Sequence, residues 1–233
     1  AQPSSGSGTA IGLKTNREFR DLSAWYHILV EIDTTQSTSS NRVKLYINGT
    51  QETSFGTSNY PSQDYDSFMN LSGVPHYIGR ETGTSNLYDG VMSHVHFTDG
   101  YAYAASDFGS TDATTGEWKI NTSPSVTYGN NGFFILKDGN SVTDQSGNSN
   151  NFTVSGGTLT KTEDCPSNVF CTLNPINSRY ISIIQGNNTA SGGNNGSDYS
   201  YIGSTLAANS GKFYWEVKAA DLAEIDQVGV ALA

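Results

Sequence analysis

The sequence predicts an all-β protein, and three observations support that prediction. The chain of 233 residues contains 13 Tyr, 10 Phe, 3 Trp and 25 Gly, while only 15% of its residues are charged. Aromatic residues favour strands and glycines favour turns, whereas the residues that build helices are scarce. Apolar and polar residues alternate in several short segments, which is the pattern of strands with one buried face. We therefore expect antiparallel β-sandwich structure in one or two domains.

The strongest local signal lies between residues 25 and 55. Residues 25–32 form an apolar run of strand length, and a polar tract follows them. At the start of residues 42–55, Val43, Leu45 and Ile47 alternate with Arg42, Lys44 and Tyr46. The next dipeptide is Asn48-Gly49, which strongly favours a two-residue hairpin turn. These patterns predict a twisted antiparallel sheet with one buried face.

Weaker patterns predict the remaining elements. Further strands are expected at residues 9–14, 74–80, 90–98, 133–136, 179–184 and 198–203, with residues 152–154 pairing back onto residues 133–136. Loops are expected at residues 56–72 and 111–131, a turn at Asp99-Gly100, a helical turn within residues 101–110, and a mobile polar tip at residues 186–196. Residues 212–218 alternate aromatic and polar side chains, and residues 227–233 have the composition of a strand.

Several motifs in combination resemble a known family. They are WYHILVEIDTTQ at residues 25–36, RVKLYING at 42–49, HYIGR at 76–80, YDG at 88–90, DQSGNSNNF at 144–152, SNVFCTLNP at 167–175 and GKFYWEV at 211–217. Together they resemble the concanavalin A-like, laminin G-like jelly roll carried by structural proteins of tailed bacteriophages. In those proteins a connector and a SPRY-type sandwich follow the jelly roll.

The resemblance implies a domain arrangement and a location. Residues 1–157 would form the jelly roll, ending at Gly156-Gly157, residues 158–177 the connector, and residues 178–233 the beginning of a SPRY-like sandwich. Both sandwiches would lack strands at their outer ends, so we expect the natural polypeptide to be longer than this chain. Family analogy further implies a virion protein that contacts other virion proteins and forms a homo-oligomer, a trimer if it belongs to a fibre.

The charge of the chain argues against two classes of partner. Its formal net charge of −10 repels both phosphate backbones and anionic bilayers, so we expect no nucleic-acid partner. No apolar run approaches the roughly 18 to 20 residues needed to cross a bilayer, so we expect no membrane insertion.

Glu31, Asp33 and Gln36 resemble part of a glycosidase motif. Laminarinase-type enzymes on the same kind of sandwich carry Glu-x-Asp-x-x-Glu on one strand. Retaining hydrolysis needs a nucleophilic carboxylate and an acid/base carboxyl about 5 Å away. Gln36 occupies the last position of the motif, and an amide cannot exchange a proton at neutral pH. We therefore expect no catalysis, and a solvated sheet face for Glu31.

The histidines and cysteines give weak signals for a metal. His94 and His96 are two residues apart in a predicted strand, so their imidazoles would lie on one face. No Cys or third His nearby completes such a site, and an exposed sheet face is the simpler expectation. Cys165 and Cys171 are the only cysteines, and they form either two thiols or one local disulfide.

One loop is rich in the oxygen ligands that Ca²⁺ takes. It contains Asp138, Asn140, Asp144, Ser146, Asn148 and Asn150. The spacing of an EF-hand is absent, and the same string is also an ordinary turn sequence. Laminin G-like sandwiches sometimes bind calcium at their rims, so the resemblance adds a calcium hypothesis for Asp138, Asn140, Asp144 and Asn148.

Aromatic side chains in loops are candidates for sugar binding, because sugar sites combine aromatic faces with carboxylates and amides. The candidates are Tyr60, Asp64, Tyr65 and Asp66 in the loop of residues 56–72, and Tyr101, Tyr103 and Trp118 further along the chain. Each aromatic has ordinary packing as its alternative.

Three functional hypotheses follow from these patterns. The first is a non-catalytic virion surface or tail-fibre protein whose sandwiches recognise a host-surface glycan or protein. The second is an architectural virion module whose loops contact neighbouring subunits. The third is a polysaccharide-degrading enzyme, which Gln36 disfavours.

Overall fold

The protein is an all-β molecule built from short antiparallel strands, as the sequence predicts. The computed structural model describes residues 11–21, 24–80, 86–137, 141–162, 165–166, 171–184, 187–192, 200–207 and 210–218. Within these residues, thirteen strands form six small sheets, and every pairing is antiparallel. The helical structure of the described residues consists of two single 3₁₀ turns, Ser39–Asn41 and Ala105–Asp107. The second of them confirms the helical turn predicted within residues 101–110.

The strands are β1 (Gly12–Thr15), β2 (Ile28–Ile32), β3 (Val43–Ile47), β4 (Thr50–Glu52), β5 (Phe55–Asn59), β6 (Val95–Phe97), β7 (Gly109–Thr111), β8 (Trp118–Ile120), β9 (Phe133–Ile135), β10 (Leu173–Arg179), β11 (Ile181–Ile184), β12 (Thr189–Gly192) and β13 (Tyr201–Ser204).

The predicted central sheet is confirmed, with strand order β2-β3-β4. Asn48 and Gly49 form the hairpin turn with φ angles of 48° and 76°, the left-handed conformations that a two-residue turn requires. The alternation in β3 buries Val43 and Ile47, which are 2% and 3% exposed. Since these side chains share one face, the sheet has the buried face that the sequence predicts.

A strand follows the central sheet where the sequence predicts a loop. Residues 55–59 form β5, which pairs with β1, so only the later part of residues 56–72 is irregular. The sequence of β5, FGTSN, shows no apolar alternation. It is a strand because it pairs with β1, which local sequence patterns do not reveal. The predicted strand at residues 9–14 is confirmed as β1 with shifted bounds.

The two strands predicted between residues 74 and 98 are largely wrong. Residues 74–80 form no strand, and Arg80 makes only an isolated bridge with Leu87. Of residues 90–98 only β6 is extended, because His94 has a φ of 50° that interrupts the alternation. β6 pairs with β9, which confirms the strand predicted at residues 133–136.

The predicted pairing of residues 152–154 with β9 is also wrong. Phe152 instead donates its backbone N–H to the carbonyl of Val142, and its ring packs edge-on against Phe133 at 4.7 Å. The segment therefore covers β9 through a side chain rather than extending the sheet.

A second hairpin lies where the sequence predicts an irregular segment. β7 and β8 pair, and the turn between them is built on Asp112. The carboxylate of Asp112 accepts the backbone N–H groups of Thr114 and Thr115 and the Nζ of Lys119 at 2.7 Å. These bonds replace the Asn-Gly signal that marks the first hairpin.

Residues after 170 form separate small sheets. The strand predicted at residues 179–184 is confirmed as β11 with shifted bounds, and Tyr180, with a φ of 53°, separates it from the end of β10 at Arg179. β10 pairs with β13. β12 lies within residues 186–196, the segment predicted to be a polar, mobile tip, and it pairs with β11. Residues 212–218 are described without a strand, and the predicted strand at residues 227–233 lies outside the described residues.

In the described part of the chain, strands β1 to β9 pair only among themselves, as do β10 to β13. The boundary at Gly156-Gly157 stays a prediction, and β10 begins within the predicted connector, residues 158–177.

Candidate functional site

The carboxylate of Asp99 joins three segments that are distant in the sequence. Its Oδ1 accepts the side-chain amide of Asn70 at 2.8 Å, and its Oδ2 accepts the backbone and side-chain N–H groups of Asn131, both at 3.1 Å. The backbone N–H of Asp99 donates to the carbonyl of Tyr128 at 2.8 Å. We call Asp99, Asn70 and Asn131 the Asp99 junction. Since both asparagines are exposed, the junction presents amide groups to solvent.

Two tyrosines follow the junction in the chain. The rings of Tyr101 and Tyr103 stack with centroids 5.9 Å apart and planes inclined by 21°. Tyr103 is fixed, because its hydroxyl accepts the backbone N–H of Thr127 at 2.8 Å and its ring meets Phe108 edge-on. Tyr101 is 49% exposed. We call this pair the tyrosine platform; it holds one aromatic ring in solvent against an anchored neighbour.

The turn that carries the platform is also fixed. The hydroxyl of Thr98 donates to the carbonyl of Tyr101 at 2.9 Å, and Gly100 adopts a φ of 80° between them. The predicted turn at Asp99-Gly100 is therefore confirmed. It places the Asp99 junction and the tyrosine platform next to each other in the chain.

An aromatic cluster lies beneath this region. The imidazole of His96 stacks on Phe134 with centroids 4.0 Å apart and contacts the rings of Phe108 and Tyr128. A hydrogen bond of 2.9 Å joins His96 Nδ1 to the Tyr128 hydroxyl. Burial lowers the pKa of His96 to about 3, with the charges of His94, His27 and Lys137 acting in the same direction.

This cluster corrects the prediction of an exposed histidine pair. The left-handed backbone at His94 ends the alternation, so the two imidazoles do not belong to one regular exposed strand face. His96 lies among core rings instead. Among the described residues, no group of three or more His, Cys, Asp or Glu is placed to hold a metal ion.

The sugar-binding candidates of residues 60–66 lie on a loop docked against residues 33–42. Asp64 donates its backbone N–H to the carbonyl of Thr34 at 2.9 Å, and Arg42 donates to the carbonyl of Pro61 at 2.8 Å. Asp64 and Asp66 are exposed, whereas Tyr60 and Tyr65 are partly buried. The loop is held, but its two tyrosines present less ring to solvent than Tyr101 does.

Trp118 packs between the two hairpins. Its indole N–H donates to Nδ1 of His27 at 3.1 Å, and the two rings are nearly parallel. A Cβ atom at Gly49 would overlap the Trp118 ring, and one at Gly109 would lie 2.6 Å from it. The face of this indole is thus covered by protein, which matches the packing alternative.

Glu31 and Asp33 have partners within the chain. Glu31 accepts Nζ of Lys44 at 2.9 Å and the hydroxyl of Tyr46 at 3.2 Å, and its side chain is 14% exposed. The expectation of a solvated face is therefore wrong for Glu31. Asp33 accepts the hydroxyl of Thr35 and the amide of Gln36, both at 2.6 Å, and these bonds lower its pKa. Both carboxylates hold local structure.

The proposed calcium loop is braced by its own hydrogen bonds. Asp144 is 8% exposed. It accepts the backbone N–H groups of Phe134, Ser146 and Asn150 and the hydroxyl of Ser146. Burial alone would raise the pKa of Asp144, but these bonds outweigh it and the pKa is lowered. A cation at this carboxylate would have to displace those donors.

The other calcium candidates divide into two groups. Asn148 donates its side-chain amide to the carbonyls of Gly129 and Gly132, at 2.6 and 2.9 Å. Asp138 and Asn140 lie outside the described residues.

Cys165 and Cys171 are not joined by a disulfide, which decides between the two alternatives left by the sequence.

The sequence points to Tyr101 and Tyr103 but not to the Asp99 junction. Asn70, Asp99 and Asn131 are separated by 29 and 32 residues, and no local pattern links them. The one available signal is Asp99-Gly100, a turn whose first residue has a carboxylate that can accept hydrogen bonds.

Comparisons with protein-family models, with curated proteins and with solved structures found no match. Among the described residues, no helix has the length and apolar character that crossing a membrane requires.

Proposed function

We propose that the protein is a non-catalytic recognition module of a phage virion structural protein, and that it binds a host-surface glycan at the tyrosine platform and the Asp99 junction. The single observation that carries this proposal is an exposed ring, Tyr101, held by a stacked neighbour beside a network of exposed side-chain amides. The virion location rests on the resemblance of the sequence motifs alone.

A glycan suits the chemistry of this surface. Sugar rings present C–H groups that pack on an aromatic face and hydroxyls that exchange hydrogen bonds with amides and carboxylates. The platform supplies the face, and Asn70 and Asn131 supply amide groups whose positions Asp99 fixes. Because the site is assembled by hydrogen bonds before a ligand arrives, little ordering cost remains for binding.

The non-catalytic part of the proposal is supported by the occupied carboxylates. Glu31 is engaged by Lys44 and Tyr46, and Asp33 is engaged by Thr35 and Gln36. A glycosidase needs one carboxylate free to attack or to activate water and one carboxyl that carries a proton. Asp33 does not have the surroundings of a protonated acid, since the hydrogen bonds from Thr35 and Gln36 lower its pKa.

An architectural role is the second candidate, and one specific observation favours it. Ile28 and Val30 on β2 are 57% and 55% exposed, on the apolar face of the central sheet. Exposed apolar side chains on a sheet edge are typical of a contact with another protein.

Binding to a panel of immobilised neutral and acidic bacterial polysaccharides tests the proposal. We expect saturable binding to at least one polysaccharide, lost on Tyr101→Ala. Tyr201→Ala is the matched control, because Tyr201 is 53% exposed and lies in β13, outside the proposed site. Absence of binding to every polysaccharide, together with tight association with other virion proteins, would favour the architectural role.

A further inference from the structure

The carboxylate of Asp99 determines how two asparagine side chains are turned. An ionised carboxylate accepts hydrogen bonds and donates none, so a neighbouring amide must present its NH₂ group to it. The side-chain nitrogens of Asn70 and Asn131 lie 2.8 and 3.1 Å from the oxygens of Asp99. The amide oxygens of both asparagines therefore lie on the far side of each amide group. No hydrogen bond among the described residues occupies either oxygen.

The charge of Asp99 is not paired with a cation. The sequence contains 12 lysines and arginines, and all of them lie in the described residues. The ion pairs between described residues engage other carboxylates, those of Glu18, Glu31, Glu52 and Asp112. The imidazole bonded to this junction is His76, and its Nε2 accepts the backbone N–H of Asn70 at 2.9 Å, as an unprotonated nitrogen does. The junction therefore presents an uncompensated negative charge.

The groups left for a ligand at this junction favour hydroxyls over acid groups. The amide oxygens accept hydrogen bonds, which a sugar hydroxyl donates and an ionised acid group cannot. One N–H of each asparagine amide also remains, but it belongs to the nitrogen already bonded to Asp99. A ligand oxygen at that N–H would lie two hydrogen-bond lengths from the carboxylate, roughly 5 Å away. A hydroxyl oxygen can occupy that position, whereas an anionic oxygen would meet a like charge.

We propose that the glycan bound at the tyrosine platform and the Asp99 junction is uncharged, and that Asp99 is the residue that excludes uronic acids and other anionic sugars. This inference rests on the proposed function and names the class of glycan that the site takes. Asn70 and Asn131 accept hydroxyl protons, while Tyr101 packs against the C–H groups of a neutral ring. The net charge of −10 repels polyanions from the whole surface, so the test must separate Asp99 from this general effect.

Polysaccharides that share one backbone isolate the effect of charge. Every polysaccharide that the wild type binds is prepared in two forms. Primary hydroxyls of a neutral polysaccharide are oxidised to carboxylates, and carboxylates of an acidic one are reduced to primary hydroxyls. The Kd of the uronic form divided by the Kd of the neutral form is the discrimination ratio. At an ionic strength of about 0.01 M, where charges are weakly screened, we expect a ratio of at least about five for the wild type.

Two variants that remove the same charge assign the discrimination to a residue. Asp99→Asn retains a side-chain oxygen that can accept an N–H group but carries no charge, so we expect its discrimination ratio to fall. Glu117→Gln is the matched control, because Glu117 is exposed and lies between β7 and β8, outside the platform and the junction. It should keep the ratio of the wild type.

Salt dependence of the wild type is a second measurement that needs no variant. Raising the ionic strength to about 0.5 M should lower the discrimination ratio, because the Debye length then falls below the roughly 5 Å that separate the two charges. A ratio that salt does not change would show that the uronic form is rejected for its shape and not for its charge.

Each contrary result has a distinct meaning. Equal Kd values for the two forms in the wild type would overturn the inference and leave the proposed function intact. Equal ratios in the wild type and Asp99→Asn would overturn the role of Asp99, since the general charge of the chain would then explain the exclusion. A wild type that binds neither form of any polysaccharide would contradict the proposed function itself, and this inference with it.

Discussion

The ring of Trp118 lies against two glycines that belong to different hairpins. This contact explains why both positions are glycine. Gly49 lies in the turn between β3 and β4, and Gly109 begins β7. The ring takes the space that a Cβ atom would need at either position. The turn conformation of Gly49 can be predicted from the sequence, but its contact with the ring cannot, because the two residues are far apart in the chain.

Gly49→Ala should destabilise the protein more than the left-handed backbone alone requires. Strain at such a position costs roughly 1–3 kcal/mol, and the new Cβ atom must also displace the Trp118 ring. Gly73→Ala is the matched control, since Gly73 has a φ of 78° and no atom lies within 4 Å of the point that its Cβ would occupy. Urea unfolding should give the larger loss of unfolding free energy for Gly49→Ala; equal losses would show that the ring yields freely.

His96 makes stability depend on pH. Burial lowers its pKa from 6.5 to about 3, so the unfolded chain binds this proton more readily than the folded chain does. Stability therefore falls as pH drops below about 6.5, by roughly 1.4 kcal/mol per pH unit while only the unfolded state is protonated.

The test compares the wild type with His96→Phe in urea unfolding between about pH 6.5 and pH 5, above the range in which most carboxylates titrate. We expect a shallower loss of stability for the variant. Some slope should remain, because burial also lowers the pKa of His27. Identical slopes for the two proteins would contradict the burial of His96.

The sequence predicts the elements that are specified by neighbouring residues, and it misses those that depend on contacts between distant segments. The hairpin of β3 and β4 is local: its alternation and its Asn-Gly turn lie within about ten residues of each other. β5 and β7 have no such pattern, and they become strands only because β1 and β8 pair with them. The Asp99 junction is harder still, since its contacts span three loops. Sequence patterns therefore predict the fold class and the central sheet, but not the assembled site.

The loop after β9 is held by one buried carboxylate. Asp144 links the N–H of Phe134 in β9 to the turn at Ser146 and to Asn150. The side chains of Asn148 and Asn150 then reach across to the carbonyl of Gly132. This loop positions the segment that carries Asn131, so its bonds support the candidate site indirectly.

Asp144→Ala should therefore reduce stability strongly. It leaves several N–H donors without an acceptor, and each buried donor left unpaired costs about 1–3 kcal/mol. Asp66→Ala is the control, because Asp66 is exposed. Thermal unfolding should show a large decrease in Tm for Asp144→Ala alone.

We also expect the Tm of the wild type to be the same with excess chelator as with calcium, since protein donors already occupy Asp144. A Tm that rises with calcium would instead favour the calcium hypothesis for this loop.

At the scale of the whole molecule, two surfaces have different chemistry. The edge of β2 exposes apolar side chains, and its charged residue, Glu31, is paired with Lys44 within the chain. Such an edge suits a contact with another protein. The tyrosine platform and the Asp99 junction combine one exposed ring with amides, and they suit a hydroxyl-rich ligand.

The most direct test of the proposed function is the Kd for a polysaccharide bound by the wild type, compared with those of Tyr101→Ala and Tyr201→Ala. We predict that Tyr101→Ala weakens binding by at least about tenfold, as expected for truncation of a central aromatic contact. Tyr201→Ala should leave the Kd unchanged. Equal affinities for the wild type and Tyr101→Ala would contradict a glycan site on the tyrosine platform.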